Sequence, residues 1–307
     1  MEKIVIGICT YNRNELLNIC LDKISVMKIP DNVSIEVVVV DNSAESIAVD
    51  IVKSKTSKLN IHYFPFHGKG IASVRNEVLR QAVKLKPDYI AFIDDDEYPD
   101  ENWIYELYTR LIATKSDVVT GPVVYNFVDT NFNQLKVPFW IKKNAYFKGK
   151  YKRPDGHICR TASTNNVLFK VSILDKLAYW FDEKYQMMTG EDIEFFERVY
   201  NLHYTILWVK KAVVNEIVSP ERCTLKYLWK RNFNNGYLRI FNKRKFNRLE
   251  LRHYYETVLG FLFFLCILPF SIICGLTKLS NMYGKTAFSF GALVSLFKSQ
   301  TLVHYKD

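Results

Sequence analysis

Five short stretches of this chain carry too few polar positions to leave one face in water: KIVIGIC at 3–9, IEVVVV at 35–40, NIHYF at 60–64, DYIAFI at 88–93 and DVVTGPVV at 117–124. A half-exposed strand alternates apolar and polar residues. Runs that do not alternate belong to a sheet covered on both faces. Between them apolar residues recur at helical spacing: Leu16, Ile19, Cys20 and Ile24 after the first run, then stretches over 71–86 and 101–113. Strands alternating with helices predict an α/β fold with a mostly parallel central sheet. With 307 residues, 49% hydrophobic and 24% charged, the chain can bury one large or two modest cores, and a disordered chain is excluded. Open α/β sheets bind ligands at the carboxyl ends of their strands. Three ends here are polar, Thr10-Tyr11-Asn12, Asp41-Asn42-Ser43 and Asp94 to Glu97, and they are expected to converge on one cleft. No GxGxxG or GxxxxGK[ST] follows the first run, which argues against a dinucleotide dehydrogenase and a P-loop NTPase.

Asp94, Asp95, Asp96 and Glu97 repel one another unless something positive joins them. Strand alternation predicts Asp94 and Asp96 on one side and Asp95 on the other, and two such oxygen donors suit Mg²⁺ or Mn²⁺. The competing reading is a solvated acidic turn capping the next helix. A second cluster, Gly190-Glu191-Asp192, opens an amphipathic helix through Ile193, Phe196, Val199 and Tyr200. Acids in a first helical turn are stabilised by the helix dipole, so Asp192 reads equally as a helix-favouring acid or as a general base. Lys69 and Arg75 lie in GKGIASVRNE, where glycines permit close backbone approach and cations could meet phosphate; a solvated face is the plainer reading.

The net charge of +10 is concentrated. Ten Lys or Arg and one acid, Glu250, fall between Arg222 and Arg252. Thr257 to Thr277 then carries no charge, and as one helix would be about 32 Å long, a bilayer core's thickness. A basic run beside such a segment predicts a membrane anchor, with a buried soluble helix as the alternative. Pro269 predicts a kink and leaves re-entrant or shallow placement open. The basic run also suits nucleic acid, with Trp229, Phe233 and Tyr237 for stacking, but its apolar neighbour favours lipid. Six cysteines without metal or disulfide spacing fit a reducing compartment, and MEKIVIGICTYNRNE turns polar too early for a signal peptide. The expected place is the cytoplasmic face of a bacterial inner membrane, with the chain peripheral or held by one C-terminal helix. The expected organisation is a catalytic domain over 1–220 (donor half about 1–125, acceptor half about 126–220), a basic amphipathic linker over 221–256 and a membrane-associated segment over 257–307.

Together CTYNR at 9–13, VVVVDNS at 37–43, GKGIASVRN at 68–76, IDDDEYPDENW at 93–103 and TGEDIEFFERV at 189–199 resemble a family 2 glycosyltransferase with the GT-A, or nucleotide-diphospho-sugar transferase, fold. The DDDE run and VSPER at 218–222 are most similar to bacterial enzymes of the succinoglycan-synthesis type. The resemblance covers roughly residues 1–240. It implies an inverting, metal-dependent transfer from a nucleotide sugar, of UDP type, to a hydroxyl of a lipid-linked saccharide. Thr10 and Asn12 would contact the nucleotide, Asp41 its base, and Arg75 and Asn76 the ribose and diphosphate. Arg13, Ser43, Lys69, Asp94 and Asp95 complete the implied donor site. Asp94 and Asp96 would hold Mn²⁺ or Mg²⁺, with Asp96 the more direct ligand, and Asp192 of the Glu191-Asp192 pair would be the base.

Two features depart from the family pattern. Where many relatives place a metal-binding His, this chain has Val213-Val214-Asn215-Glu216, so Glu216 is the candidate further ligand. The QxxRW of processive synthases is absent, YLWKRNF at 227–233 standing nearest, which favours addition of one sugar at a time. Competing readings are a nucleotidyltransferase using the same acids and a non-catalytic membrane-bound protein that binds sugar nucleotides. The first lacks the glycines needed after the first strand; the second would have no reason to keep every acid.

Overall fold

Strand and helix alternate as the periodicity requires, and the computed structural model describes residues 1–148, 153–185 and 189–298. Two compact units are present: Met1–Asn126 with Gly149–Gln186 and Glu191–Ile217, and Phe127–Lys148 with Met187–Gly190 and Val218–Asp307. Residues 299–307 of the expected membrane-associated segment lie outside the described residues.

The first unit begins β1 (Glu2–Thr10), α1 (Asn14–Ser25), β2 (Val33–Asp41), α2 (Val49–Lys55), β3 (Ile61–Pro65), α3 (Ile71–Lys84), β4 (Tyr89–Phe92), β5 (Glu97–Pro99) and α4 (Trp103–Thr114). It continues through β6 (Val118–Thr120) and β7 (Val123–Asn126); after α5 (Phe139–Lys142), which belongs to the second unit, come β8 (Ile158–Cys159) and β9 (Val167–Lys170). It closes with α6 (Glu191–Asn201), β10 (Ile206–Trp208) and β11 (Val214–Ile217). The main sheet has the order β3-β2-β1-β4-β9-β6-β10-β8 and a smaller one the order β5-β11-β7. β3, β2, β1 and β4 are mutually parallel, while β9 runs antiparallel between β4 and β6.

Both faces of the main sheet are dry, which is why its strands do not alternate. Ile4, Ile6 and Ile8 pack with Leu17 and Leu21 of α1 and with Trp103 and Leu107 of α4. Val5, Val38 and Val40 face the other way, toward Val78 and Leu79 of α3 and Phe195 and Phe196 of α6. Fully burying a side chain of this size is worth about 1.5–3 kcal/mol, so this double layer is the main driving force of the unit.

The structure corrects three expectations drawn from the sequence. The run 117–124 is two strands in different sheets, because the chain leaves the main sheet at Gly121-Pro122. Buried Asn166 anchors that exit, donating to the carbonyls of Pro122 at 2.9 Å and Ala212 at 2.8 Å. Second, β4 ends at Phe92, so Asp94 to Asp96 form a turn and strand alternation does not govern them. Third, the apolar stretch 257–277 is not one helix.

In the second unit the basic run folds as α7 (Leu225–Lys245), followed by α8 (Leu251–Phe270) and α9 (Leu276–Phe297). α8 stops one residue after Pro269, and Ser271 to Gly275 reverse the chain, with Gly275 at φ +90°. α9 returns antiparallel to α8, with Phe261 beside Phe290 and Thr286 Oγ1 donating to the Phe264 carbonyl at 3.3 Å. α9 is parallel to α7 and packs at backbone distance. A Cβ on Gly236 would lie 1.8 Å from the Phe288 carbonyl oxygen, and one on Gly291 1.9 Å from that of Phe233.

Candidate active site

The placement of α3 decides the site's centre. A Cβ on Gly7 of β1 would lie 2.3 Å from Val78 Cγ1, so only glycine lets α3 press this closely on the sheet. Arg75, the fifth residue of α3 and 7% exposed, is held there between two acid-bearing segments. Its Nη2 lies 3.4 Å from Asp94 Oδ1 and its Nη1 donates to Glu191 Oε1. One guanidinium thus joins the turn after β4 to the start of α6. Glu191 is 2% exposed, and its Oε2 has no hydrogen-bond partner among the described residues.

Asp95 and Asp96 face a second guanidinium. Arg13 Nη1 lies 3.0 Å from Asp95 Oδ1 and 3.2 Å from Asp96 Oδ2, and Thr10 at the end of β1 donates to Asp95 Oδ2 at 2.9 Å. The acids therefore divide as Asp94 with Arg75 and Asp95-Asp96 with Arg13. Glu97, in β5, accepts from Asn165 Nδ2 at 2.9 Å and pairs in register with Glu216 of β11. Ile217 donates its backbone N–H to the Asp96 carbonyl at 3.0 Å, so β11 carries Glu216 to the edge of the acidic turn. Asp192, the second residue of α6, is half-buried, and its Oδ1 accepts from the Ile193 N–H at 2.7 Å.

Negative charge is in excess here. Burial raises the Asp94 carboxyl above the usual carboxylate range; Arg75 opposes the shift, and Asp96 and Asp192 add to it. The Asp192 carboxylate is thus close enough to be felt by Asp94. Burial, with Asp96 beside it, pushes Asp95 up to about 7 against the pull of Arg13. Glu97 is raised well above the carboxylate range by burial and then by Asp94, Glu216 and Asp96. A crowd of mostly buried carboxylates would be relieved by a cation. No group of three or more His, Cys, Asp or Glu among the described residues forms a ready metal cage. A Mg²⁺-type ion needs no cage, since it takes one or two carboxylates and completes its shell with substrate phosphate and water. Asp94 and Asp96 fit that donor set.

Asp41 at the end of β2 is fully buried, and its oxygens accept from the Ser43 N–H at 2.8 Å, Ser43 Oγ at 2.5 Å, the Ala48 N–H at 3.1 Å and Tyr63 Oη at 2.8 Å. These four donors occupy its lone pairs, and burial and Asp41 together push the Tyr63 hydroxyl up to about 12. Asn12 is exposed with φ +52°, and Lys69 is exposed just before α3. Asn76 is turned away from the acids: its amide exchanges two hydrogen bonds with the backbone of Phe181, at 2.9 and 3.0 Å, and a third reaches Glu183 at 3.1 Å. Thr10, Arg13, Arg75, Asp94, Asp95, Asp96 and Asp192 come together, with Glu191 and Glu216 beside them. Asn76 does not join them. The sequence offered no sign of Tyr63 bracing Asp41 or of Asn165 holding Glu97.

The family model described as Glycosyl transferase family 2 matches residues 5–178. The chain is 30% identical over 233 residues to the succinoglycan biosynthesis protein ExoM of Rhizobium meliloti (strain 1021), covering 75% of this chain and 72% of that one. It is also 30% identical over 221 residues to the chondroitin synthase of Pasteurella multocida (strain Pm70), covering 62% of this chain but 22% of the other. Among solved structures, S. aureus TarS 1–349 in complex with UDP-GlcNAc superposes with a TM-score of 0.55 at 17% identity, over 98% of this chain and 93% of that one. The mannosyltransferase PcManGT from Pyrobaculum calidifontis in complex with GDP-Man and Mn²⁺ gives a TM-score of 0.63 at 17% identity, over 96% and 87%. At such identities the two structures establish a common fold, the GT-A type.

Proposed function

Since the chain belongs to glycosyltransferase family 2, and is a glycosyltransferase of polysaccharide synthesis, we propose that it makes an inverting, metal-dependent transfer from a UDP-type sugar donor to a hydroxyl of a lipid-linked saccharide. The observation that carries the proposal is Arg75, which joins Asp94 of the acidic turn to the start of the Glu191-Asp192 helix. Donor-side and acceptor-side acids thereby share one place.

In this reading Thr10, Asn12, Arg13, Ser43 and Lys69 line the donor side. Asp41 shapes the base pocket through the loop and the Tyr63 hydroxyl it holds, and a base N–H reaching it would replace one of those four bonds. Asp94 and Asp96 hold the cation, with Glu216 as a further oxygen ligand. When bound, the cation neutralises the charge that develops on the departing diphosphate. Arg75 and Arg13 add fixed positive charge, which costs no reorganisation as the bond breaks. Asp192 takes the proton from the incoming hydroxyl, and attack from the face opposite the diphosphate inverts the anomeric centre. Neighbours of the same fold were solved with UDP, UDP-GlcNAc, and GDP-Man with Mn²⁺, which supports a nucleotide-sugar donor. The C-terminal helices would hold the enzyme at the cytoplasmic face of the membrane, where a lipid-linked acceptor is met.

The test is a panel of nucleotide sugars with purified protein, with and without Mn²⁺, reading thermal stabilisation and product. Release of nucleoside diphosphate with a metal requirement is expected. Pyrophosphate release would make the protein a nucleotidyltransferase, and absence of turnover despite donor binding would make it a binding protein.

A further inference from the structure

The apolar stretch after the basic run is continuous in sequence but not in space. Only residues 257–270 of it belong to α8, a rise of about 21 Å at ~1.5 Å per residue. A hydrocarbon core of about 30 Å needs some 20 apolar residues in one helix. α8 as a whole, Leu251–Phe270, is long and apolar enough to cross a membrane by length and composition, but Arg252, His253 and Glu256 fall in its first two turns.

The packing of the second unit closes the remaining vertical arrangements. α8 lies along α9, and α9 lies along α7 through the Gly236 and Gly291 contacts, so in an upright orientation the three helices would occupy the same range of depths. α7 carries Lys226, Lys230, Arg231, Arg239 and Lys243 along its whole length. Standing the group upright in a bilayer would place several of these charges in hydrocarbon, a costly arrangement. Entry turn-first fails for a related reason. Lys278 follows the turn at once, and Ser280 and Asn281 on the same stretch of α9 are tied to Asn144 and to the Ala145 N–H at 3.2 and 2.8 Å.

What α8 presents outward is a stripe of Tyr255, Leu259, Leu262, Phe263 and Phe270, continued by Ile273 in the turn, which is 86% exposed. Only 6% of its apolar window is buried within the protein. At its N-terminal end, where α7 finishes, Arg239, Lys243, Arg244, Lys245, Arg248 and Arg252 are concentrated. Burial lowers the Lys243 ammonium, and the neighbouring positive charges of Arg239 and Arg252 add to it. An apolar stripe ending in crowded cations complements the boundary between acyl chains and anionic headgroups.

We propose that α8 lies in the plane of one leaflet of an anionic membrane, neither crossing it nor dipping turn-first, with α9 and α7 stacked above it. This rests on the reading that the protein works at a membrane; donor turnover measured in solution without vesicles tests the catalytic reading separately.

The test uses the full-length protein and vesicles of phosphatidylcholine with or without 30% phosphatidylglycerol. Flotation with the anionic vesicles is expected, with at least tenfold weaker binding to neutral ones. The exposed pair Leu259→Glu/Phe263→Glu should abolish flotation while leaving the melting temperature and donor turnover in solution unchanged. Depth is read from the exposed cysteines Cys266 and Cys274, labelled one at a time in C274S and C266S proteins with an environment-sensitive fluorophore. The two labels should report equal, shallow depths and the leaflet to which protein was added. A Cys274 label markedly deeper than that at Cys266, or reached only from the far side, overturns the proposal. So does a protein that ignores both vesicles and instead forms a dimer broken by the Glu pair.

Discussion

Arg75 ties the acidic turn to the start of α6 in a way that stability measurements can read. Its guanidinium neutralises Glu191 in a place nearly closed to water, and removing one partner of such a pair strands the other charge. Arg75→Ala should lower stability by about 3–5 kcal/mol in urea unfolding, and Glu191→Gln placed on that background should recover part of the loss. Asp192→Asn leaves all of this untouched. It should reduce turnover by about 10²–10⁴-fold with donor affinity unchanged, the signature of a lost base. Asp96→Asn should instead weaken metal-dependent donor binding. Far from the acids, Glu36 loses some hydration, yet hydrogen bonds from Lys3 and His62 outweigh this and hold its carboxyl below the usual range. An acid with a depressed folded-state pKa adds stability above its unfolded value and loses it as pH falls through the folded one. The stability gap between the protein and Glu36→Gln should therefore be full above about pH 5 and close toward pH 3.

Helices here are positioned by what their glycines allow. α7 and α9 meet at backbone distance, so Gly236→Ala or Gly291→Ala must drive them apart, with an expected loss of about 1–3 kcal/mol in thermal unfolding. A methyl group added at Gly260 in α8 would meet nothing within 4 Å, and Gly260→Ala should stabilise by up to about 1 kcal/mol through helix propensity. A destabilising Gly260→Ala would mean that α8 packs against something else in solution. Elements of this size were legible from composition where burial imposed a pattern: β1, β2, β4, α3 and α4 follow their apolar runs closely. Two of the misreadings share one cause. Whether 117–124 is one strand or two, and whether 257–277 is one helix or a reversal, depends on partners distant in sequence: Asn166 and Ala212 in the first case, α9 in the second. A local pattern cannot contain those partners.

At the scale of the whole molecule, the candidate site could be picked out because its residues make unusual text: four consecutive acids, or an acid pair behind a glycine. What that text lacked was the pairing. Alternation predicted Asp94 with Asp96, whereas the turn groups Asp95 with Asp96 on Arg13 and leaves Asp94 to Arg75. Nor could it show that Asn76 would be spent on Phe181. The assembled cleft predicts linkage: donor at 100 times its Kd should stabilise the fold by about 2.7 kcal/mol, and chelation of divalent metal should remove most of that gain. The staple between Arg75 and Glu191 also has a bearing on biosynthesis. Its two ends are 116 positions apart, so a ribosome has delivered β1 to β4 and the whole acidic turn long before Glu191 emerges. Until then the Arg75 guanidinium has Asp94 as a partner but not Glu191. A product ending before residue 191 would keep β1 to β4 and the acidic turn yet lack the partner that Arg75 has at the start of α6.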